Sequence, residues 1–287
     1  VSAPQKWPDK PLTPRHAWQP FTPRGVAAFA NATPLRLLLV QLLVAALVII
    51  SLLWSLRIAW IPVITEGIRH LPESGVIRRG ELIFEAESPQ RLAESARLGL
   101  VVDVAGTGEA GKVAEVEATF EKSRVVVRGP LGNWSRPYDR RYVISFNRVE
   151  LIPWWDAWRW TILAGITIAT LIWLFVSWWA LALLYLPLTK TIAFFADRGL
   201  TWGGGWRMNL AALIPGACLM AGAFLLYAFG AIDLFQFGLL YLLHVVAGWI
   251  FVFTSPFFLP KLGAVPATTN PFGTPEESKG PKPFSNS

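Results

Sequence analysis

Three residues in the apolar parts of this chain could do more than fill space: His244 in Tyr-Leu-Leu-His-Val-Val, Pro215 in Ile-Pro-Gly-Ala, and Asn209 in Arg-Met-Asn-Leu. A histidine surrounded by hydrocarbon can relay protons or bind a ligand. More often it hydrogen-bonds across a helix interface, here to Tyr227, Gln41 or a backbone carbonyl. Pro215 removes a backbone donor and invites a kink, read as packing or as a hinge beside the small residues Gly216, Ala217, Ala221 and Gly222. Asn209 reads as a cap where an apolar segment begins. The only other histidines, His16 and His70, fall on opposite sides of a membrane in the topology below, so the three cannot share a metal. The single cysteine, Cys218, excludes an intrachain disulfide and a cysteine-based zinc site. Ser51, Ser55, Ser177 and Ser255 lack a G-x-S-x-G context, and no H-E-x-x-H occurs. No cofactor is expected.

The stretch 98–111, LGLVVDVAGTGEAG, is a β-branched run ending in G-x-G-x-x-G. A dinucleotide site needs a helix opening on the glycines and an acid at the end of the next strand. The segment that follows has strand period instead, and the run after it ends in Arg128-Gly129. Gly106, Gly108 and Gly111 are therefore read as a loop between two strands. Asp103 is expected to accept backbone N–H bonds from the glycine turn. The stretch 201–207, TWGGGWR, lacks the Gly-Lys-Ser/Thr ending of a P-loop and reads as a flexible interfacial turn.

These residues must be positioned by apolar blocks. The chain of 287 residues is 53% hydrophobic, above the soluble norm, and the excess sits in four blocks edged by many of its fifteen tryptophans. The first block, 37–56, has twenty uncharged residues, enough for a hydrocarbon core of about 30 Å, and reads as an uncleaved signal anchor. The reading is a disordered tail at 1–35, membrane helices at 36–60, 154–187, 209–232 and 235–259, a loop at 188–208, and a disordered tail at 260–287. Residues 61–153 form an inserted domain. Lys and Arg in both end segments and in the 188–208 loop place these in the cytoplasm by the positive-inside rule, with 61–153 outside. The net charge of +7 lies mainly beside the blocks, which argues against nucleic acid as a partner.

The inserted domain opens with a short helix at 63–71. Strand-like runs follow at 76–84, 98–105, 114–120, 123–129 and 140–146. Val116, Ala118 and Phe120 alternate with Glu115, Glu117 and Thr119, the period of a half-exposed strand. The expected fold is a membrane all-α bundle of four helices with an inserted small α+β, mainly β, extracytoplasmic domain. Within it, IRHLPESGVIRRGELIF (68–84), LGLVVDVAGTGE (98–109) and WRMNLAALIPGA (206–217) resemble a family of bacterial membrane proteins related to the Yip-type proteins, some labelled maltodextrin-utilisation proteins. The resemblance implies one N-terminal span, an outside domain and a cluster of C-terminal spans. It supplies no catalytic residues.

The function expected from the sequence is that of a non-enzymatic scaffold, assembly or accessory subunit of a bacterial inner membrane. Its surroundings are the lipid bilayer, a protein partner bound by the outside domain, and a second copy in a homo-oligomer. A small transporter or transport accessory with a site near Pro215 and His244 is the alternative, and a membrane enzyme the third reading.

Overall fold

The structure, a computed structural model, describes residues 19–108, 114–130 and 132–262. Four of its helical segments are long and apolar enough to cross a membrane: Pro34–Arg69, Arg148–Phe195, Trp202–Ala228 and Leu234–Phe258. Two β-sheets form a separate body between the first and second of these.

The chain enters through α1 (Pro23–Ala28) and a 3-10 turn at Phe29–Asn31. Two Thr-Pro pairs start the helices here. The Thr22 hydroxyl accepts from the Gly25 N–H at 3.0 Å, and Thr33 begins α2 (Pro34–Ala59) in the same way. Threonine as N-cap with proline in the first turn is a strong helix start. Val26, Ala27 and Phe29 have no exposed surface and join the core of the bundle. Residues 19–35, a turn and the helices it leads into, are therefore not part of a disordered tail. The remainder of that expectation, 1–18, and most of the expected C-terminal tail, 263–287, lie outside the described residues.

In α2, Leu37, Val40, Gln41, Val44, Ala45 and Val48 are buried, at helical spacing. Trp60 bends the chain into α3 (Ile61–Arg69), close to the expected short helix. The helix α4 (Arg148–Phe195) has 48 residues, about 72 Å at 1.5 Å per residue. It outruns the expected span at both ends and passes through Pro187. Thr189 and Ala193, beyond the proline, are buried, and that packing outweighs the proline's lost hydrogen bond.

The expected 188–208 loop contracts to a turn. Arg198 Nη1 donates to Leu259 O at 2.5 Å, and Gly199 N to Pro260 O at 3.1 Å, so this turn holds the end of the fourth segment. From Trp202 the chain is already helical, as α5 (Trp202–Ala212), capped by the Thr201 hydroxyl on Gly204 N at 3.0 Å. TWGGGWR is thus a helix start and not a flexible turn. Its glycines are used for packing: a Cβ on Gly204 would stand 3.1 Å from Ala30 O, and one on Gly205 2.6 Å from Leu186 Cδ1. The helix breaks at Leu213 and resumes as α6 (Ile214–Ala228), with Pro215 in its first turn. Residues 229–233 then lead to α7 (Leu234–Thr254). Asp233 and Gln236 form a capping box at its start. The α5–α6 segment is the most buried of the four, while α4 and α7 show most of their surface.

Among the described residues, the inserted body holds eight strands: β1 (Gly75–Arg78), β2 (Glu81–Phe84), β3 (Gln90–Glu94), β4 (Leu98–Asp103), β5 (Val116–Glu121), β6 (Arg124–Gly129), β7 (Gly132–Pro137) and β8 (Ile144–Ser145). One sheet runs β2-β1-β8, the other β3-β4-β5-β6-β7. The strands β4 and β5 pair in parallel, with Leu98 opposite Val116 and Asp103 opposite Glu121. The expected run at 76–84 is a hairpin, that at 140–146 is a strand only over Ile144–Ser145, and β3 and β7 were not anticipated. Leu71, Ile77, Leu82, Leu92, Val102 and Phe146 form the core between the sheets.

The expected solvent face of β5 is covered. Glu117 and Thr119 are each 2% exposed, less than Val116, Ala118 and Phe120. Burial is tolerated because Arg128 Nη1 lies 2.7 Å from Thr119 Oγ1 and 3.3 Å from Glu117 Oε1.

Candidate functional site

The glycine loop comes first. The Asp103 carboxylate accepts from the backbone N–H groups of Gly106 at 2.8 Å, Thr107 at 3.2 Å and Gly108 at 2.9 Å. Burial alone would raise this carboxyl. The three N–H groups, Gly108 first, and the Thr107 hydroxyl outweigh it and hold the group below the usual carboxylate range. Gly106 and Gly108 both take positive φ, at 71° and 67°, which lets successive N–H groups turn inward. A dinucleotide site would offer such N–H groups to a pyrophosphate; here the chain's own carboxylate occupies them. The strand paired in parallel ends in an acid after all, Glu121, but Arg124 Nε at 2.6 Å and Arg128 Nη2 at 3.6 Å already hold it. Gly111 lies outside the described residues.

Pro215 and His244 are brought together. A Cβ on Gly216 would lie 2.5 Å from His244 O and 3.7 Å from its Cδ2, so α6 and α7 touch backbone to backbone there. His244 Nδ1 contacts Tyr241 O one turn earlier in its own helix. The expected bond across the interface, to Tyr227 or Gln41, is not made. Asn209 stands apart from both. It is fully buried within α5, not at a cap, and its Nδ2 donates to Ala182 O at 3.0 Å and Thr189 Oγ1 at 3.2 Å. One side chain thereby grips α4 on both sides of Pro187. Among the described residues, no group of three or more His, Cys, Asp or Glu side chains could hold a metal ion.

Sequence reasoning missed the junction between the β body and the helices. Arg97, in the β3–β4 turn, donates from Nη1 to Ala228 O at 3.2 Å, and its guanidinium lies 4.4 Å from the centre of the Tyr227 ring. Ala228 ends α6, where carbonyls collect negative partial charge. Glu115 accepts from Leu234 N at 3.1 Å, the first N–H of α7, where partial charge is positive. The two clamp residues are locked together: Glu115 N donates to Ala96 O and Val116 N to Arg97 O, both at 2.9 Å. Opposite charges therefore sit on the opposite poles of two successive helices, as the helix dipole favours. On the far side, Trp155 Nε1 donates to Thr65 Oγ1 at 2.9 Å and ties α4 to α3. A groove of about 480 Å³ runs beside the clamp, between α3, the β3–β4 turn and the α6–α7 turn, with Glu66, Glu94 and Arg97 as its charged lining.

Replacing Arg97 with alanine and Glu115 with glutamine is expected to loosen this junction by about 1–3 kcal/mol, the usual worth of hydrogen bonds to charged groups. Hydrogen exchange should quicken at residues 229–234 and stay unchanged in α2. Arg97→Lys should recover only part of the effect, because an ammonium lacks the planar stacking on Tyr227.

Fold and junction together define the class: four helices of membrane-spanning length and composition, carrying a β body docked on the turn of the last helical hairpin. No family model, curated protein or solved structure matches the chain.

Proposed function

We propose that this is a non-enzymatic accessory or scaffold protein of a bacterial inner membrane, with both termini in the cytoplasm and the β body outside as a fixed platform for a partner protein. The observation that carries this reading is the clamp of Arg97 on Ala228 O and Glu115 on Leu234 N. It docks the β body on the turn between α6 and α7 while leaving the far strands uncovered; all six residues of β7 are exposed. Lysines and arginines at the opposite end of the bundle, among them Arg36, Lys190 and Lys261, support the orientation. The large exposed faces of α4 and α7 suit lipid. Likeness to the Yip-related bacterial family belongs to the same reading.

Transport through the Pro215–His244 region draws on the helix break at Leu213. The backbone contact at Gly216 counts against it, because it leaves no space between α6 and α7 at that level.

Two measurements test the proposal. In a Cys218→Ala background, a cysteine at Ser135 should react with a membrane-impermeant maleimide added to intact spheroplasts, and one at Leu262 only after lysis. The detergent-solubilised protein should also retain one partner protein at a constant ratio. Reversed labelling would refute the orientation, and repeated recovery of the chain alone would refute the accessory role.

A further inference from the structure

At the end of the β body farthest from α4, three segments converge. Leu82 N, just after the β1–β2 turn, donates to Lys122 O at 2.6 Å. Tyr138 N donates to Ser123 O at 3.1 Å, and the Tyr138 hydroxyl to Glu121 O at 3.1 Å. A Cβ on Gly80 would lie 2.8 Å from Arg140 Cγ and 3.3 Å from Tyr138 O. This is the distal end because Gly75, at the other end of β1, accepts from Phe146 N at 2.9 Å, just before α4 begins.

Charge at this end is unbalanced. The described acids nearest these turns are engaged: Glu81 with Lys122 at 3.9 Å, Glu121 with Arg124 and Arg128, and Asp139 with Arg141 at 2.7 Å. Arg141 holds the Asp139 carboxyl below its ordinary range, so that acid stays ionised and paired. Arg78, Arg79, Arg136 and Arg140 are exposed and form no ion pair with any described residue. All four are arginine, the side chain that reads carboxylates and phosphates with a planar fork. Arg79 is also held at φ 55° beside Gly80 at 82°. A two-residue hairpin turn with two positive φ values favours Asn-Gly, so local backbone preference does not account for an arginine at this position.

Aromatic surface lies among these charges. Trp134 is 55% exposed and shares a face of β7 with Arg136, two residues on. Tyr142 is 60% exposed and Val143 68%, and the Arg141 guanidinium lies 5.7 Å from the Tyr142 ring centre. Arginine, tryptophan and tyrosine together are the composition of protein-binding hot spots. An inorganic phosphate polymer has no apolar group for the exposed rings to meet, and the end of the β body away from α4 is turned from the bilayer that the helices would cross.

We infer that this distal tip docks an acidic segment of a partner protein, with apolar side chains of that segment against Trp134 and Tyr142 and its carboxylates on Arg78, Arg79, Arg136 and Arg140. The inference rests on the accessory reading above and names the chemistry of its partner. Pro137 removes the N–H at the end of β7 nearest the tip, which disfavours sheet extension there and leaves the contact to side chains.

The test uses the full chain in phosphatidylcholine nanodiscs and four probes: a twenty-residue Glu/Phe peptide, an all-Glu peptide of equal charge, inorganic polyphosphate of equal charge, and phosphatidylglycerol vesicles. The Glu/Phe peptide should bind most tightly. Its affinity should fall at least tenfold in R78Q/R79Q/R136Q/R140Q, and several-fold in R78Q/R79Q alone, with the thermal unfolding midpoint unchanged. Trp134→Ala should weaken the Glu/Phe peptide several-fold and leave the all-Glu peptide unaffected. Binding indifferent to the arginine variants would overturn the inference. So would polyphosphate or vesicles binding as tightly as the Glu/Phe peptide with no effect of Trp134→Ala. The two levels separate cleanly. A cellular partner retained undiminished by the quadruple variant sinks the tip and keeps the accessory role. Peptide binding without any cellular partner does the reverse.

Discussion

Replacing Gly216 with leucine is expected to separate α6 from α7 and to abolish a single cooperative thermal transition of the helical part. Even the first added carbon would stand 2.5 Å from His244 O. The obstacle is backbone, so no rotamer change relieves it. Close approach at small residues is what holds helices together where burial from water contributes nothing between them. Gly216→Ala should already destabilise by roughly 1–3 kcal/mol, the range for overpacking. Gly222 is the internal control. It lies in the same helix and a Cβ there would meet nothing within 4 Å. Gly222→Ala should therefore be neutral or stabilising by up to about 1 kcal/mol through helix propensity. Scanning calorimetry or fluorescence unfolding in detergent, with cysteine cross-linking between α6 and α7, checks all three variants. Equal behaviour of Gly216→Ala and Gly222→Ala would show that the close contact does not hold the hairpin.

The sequence alone made some of these features legible and hid others, and the division follows sequence distance. The Asp103 turn was readable because the carboxylate and its N–H partners lie within five residues of each other. The four helices were readable because hydrocarbon thickness sets a length that composition reveals. Thr22-Pro23 and Thr33-Pro34 did announce helix starts, yet the polar composition around them suggested a tail. What decided the matter was burial of Phe29 against helices more than 170 residues away. The β5 face went wrong for a similar reason. Alternation identifies two faces, but which one meets solvent depends on what covers them, and Arg128 made a buried Glu117 tolerable. The clamp was invisible. Arg97 and Glu115 become neighbours only once β4 and β5 pair in parallel, and their partners are backbone atoms at helix ends 131 and 119 residues farther on. Asn209 was found by type but misread by position, because nothing local shows that α4 continues past Pro187.

Asp103→Ala should be the most damaging single change in the β body. Asp103 is 3% exposed, and its carboxylate serves three backbone N–H groups and the Thr107 hydroxyl at once. Those N–H groups lie partly in water, which can replace some of the lost bonds. The expected loss is about 2–4 kcal/mol, less than three independent charged hydrogen bonds would sum to. For a body of this size that corresponds to roughly 10–20 °C in unfolding midpoint. Asp103→Asn keeps one acceptor but turns an amide N–H₂ toward backbone donors, so it should recover less than half of the loss. The same carboxylate sets an acid limit. Its pKa is lowered in the folded chain, so the folded state binds the proton less readily than the unfolded one. Its stabilisation is fully present above the unfolded value of about 3.9 and disappears as pH falls through the lower folded value. Pulse proteolysis of the full chain in detergent between pH 7 and pH 3 should show wild type weakening only below about pH 4. Asp103→Ala should start less stable and weaken less over the same interval, because the group that titrates is gone. An equal acid response in both proteins would mean that the Asp103 carboxylate does not set the acid limit.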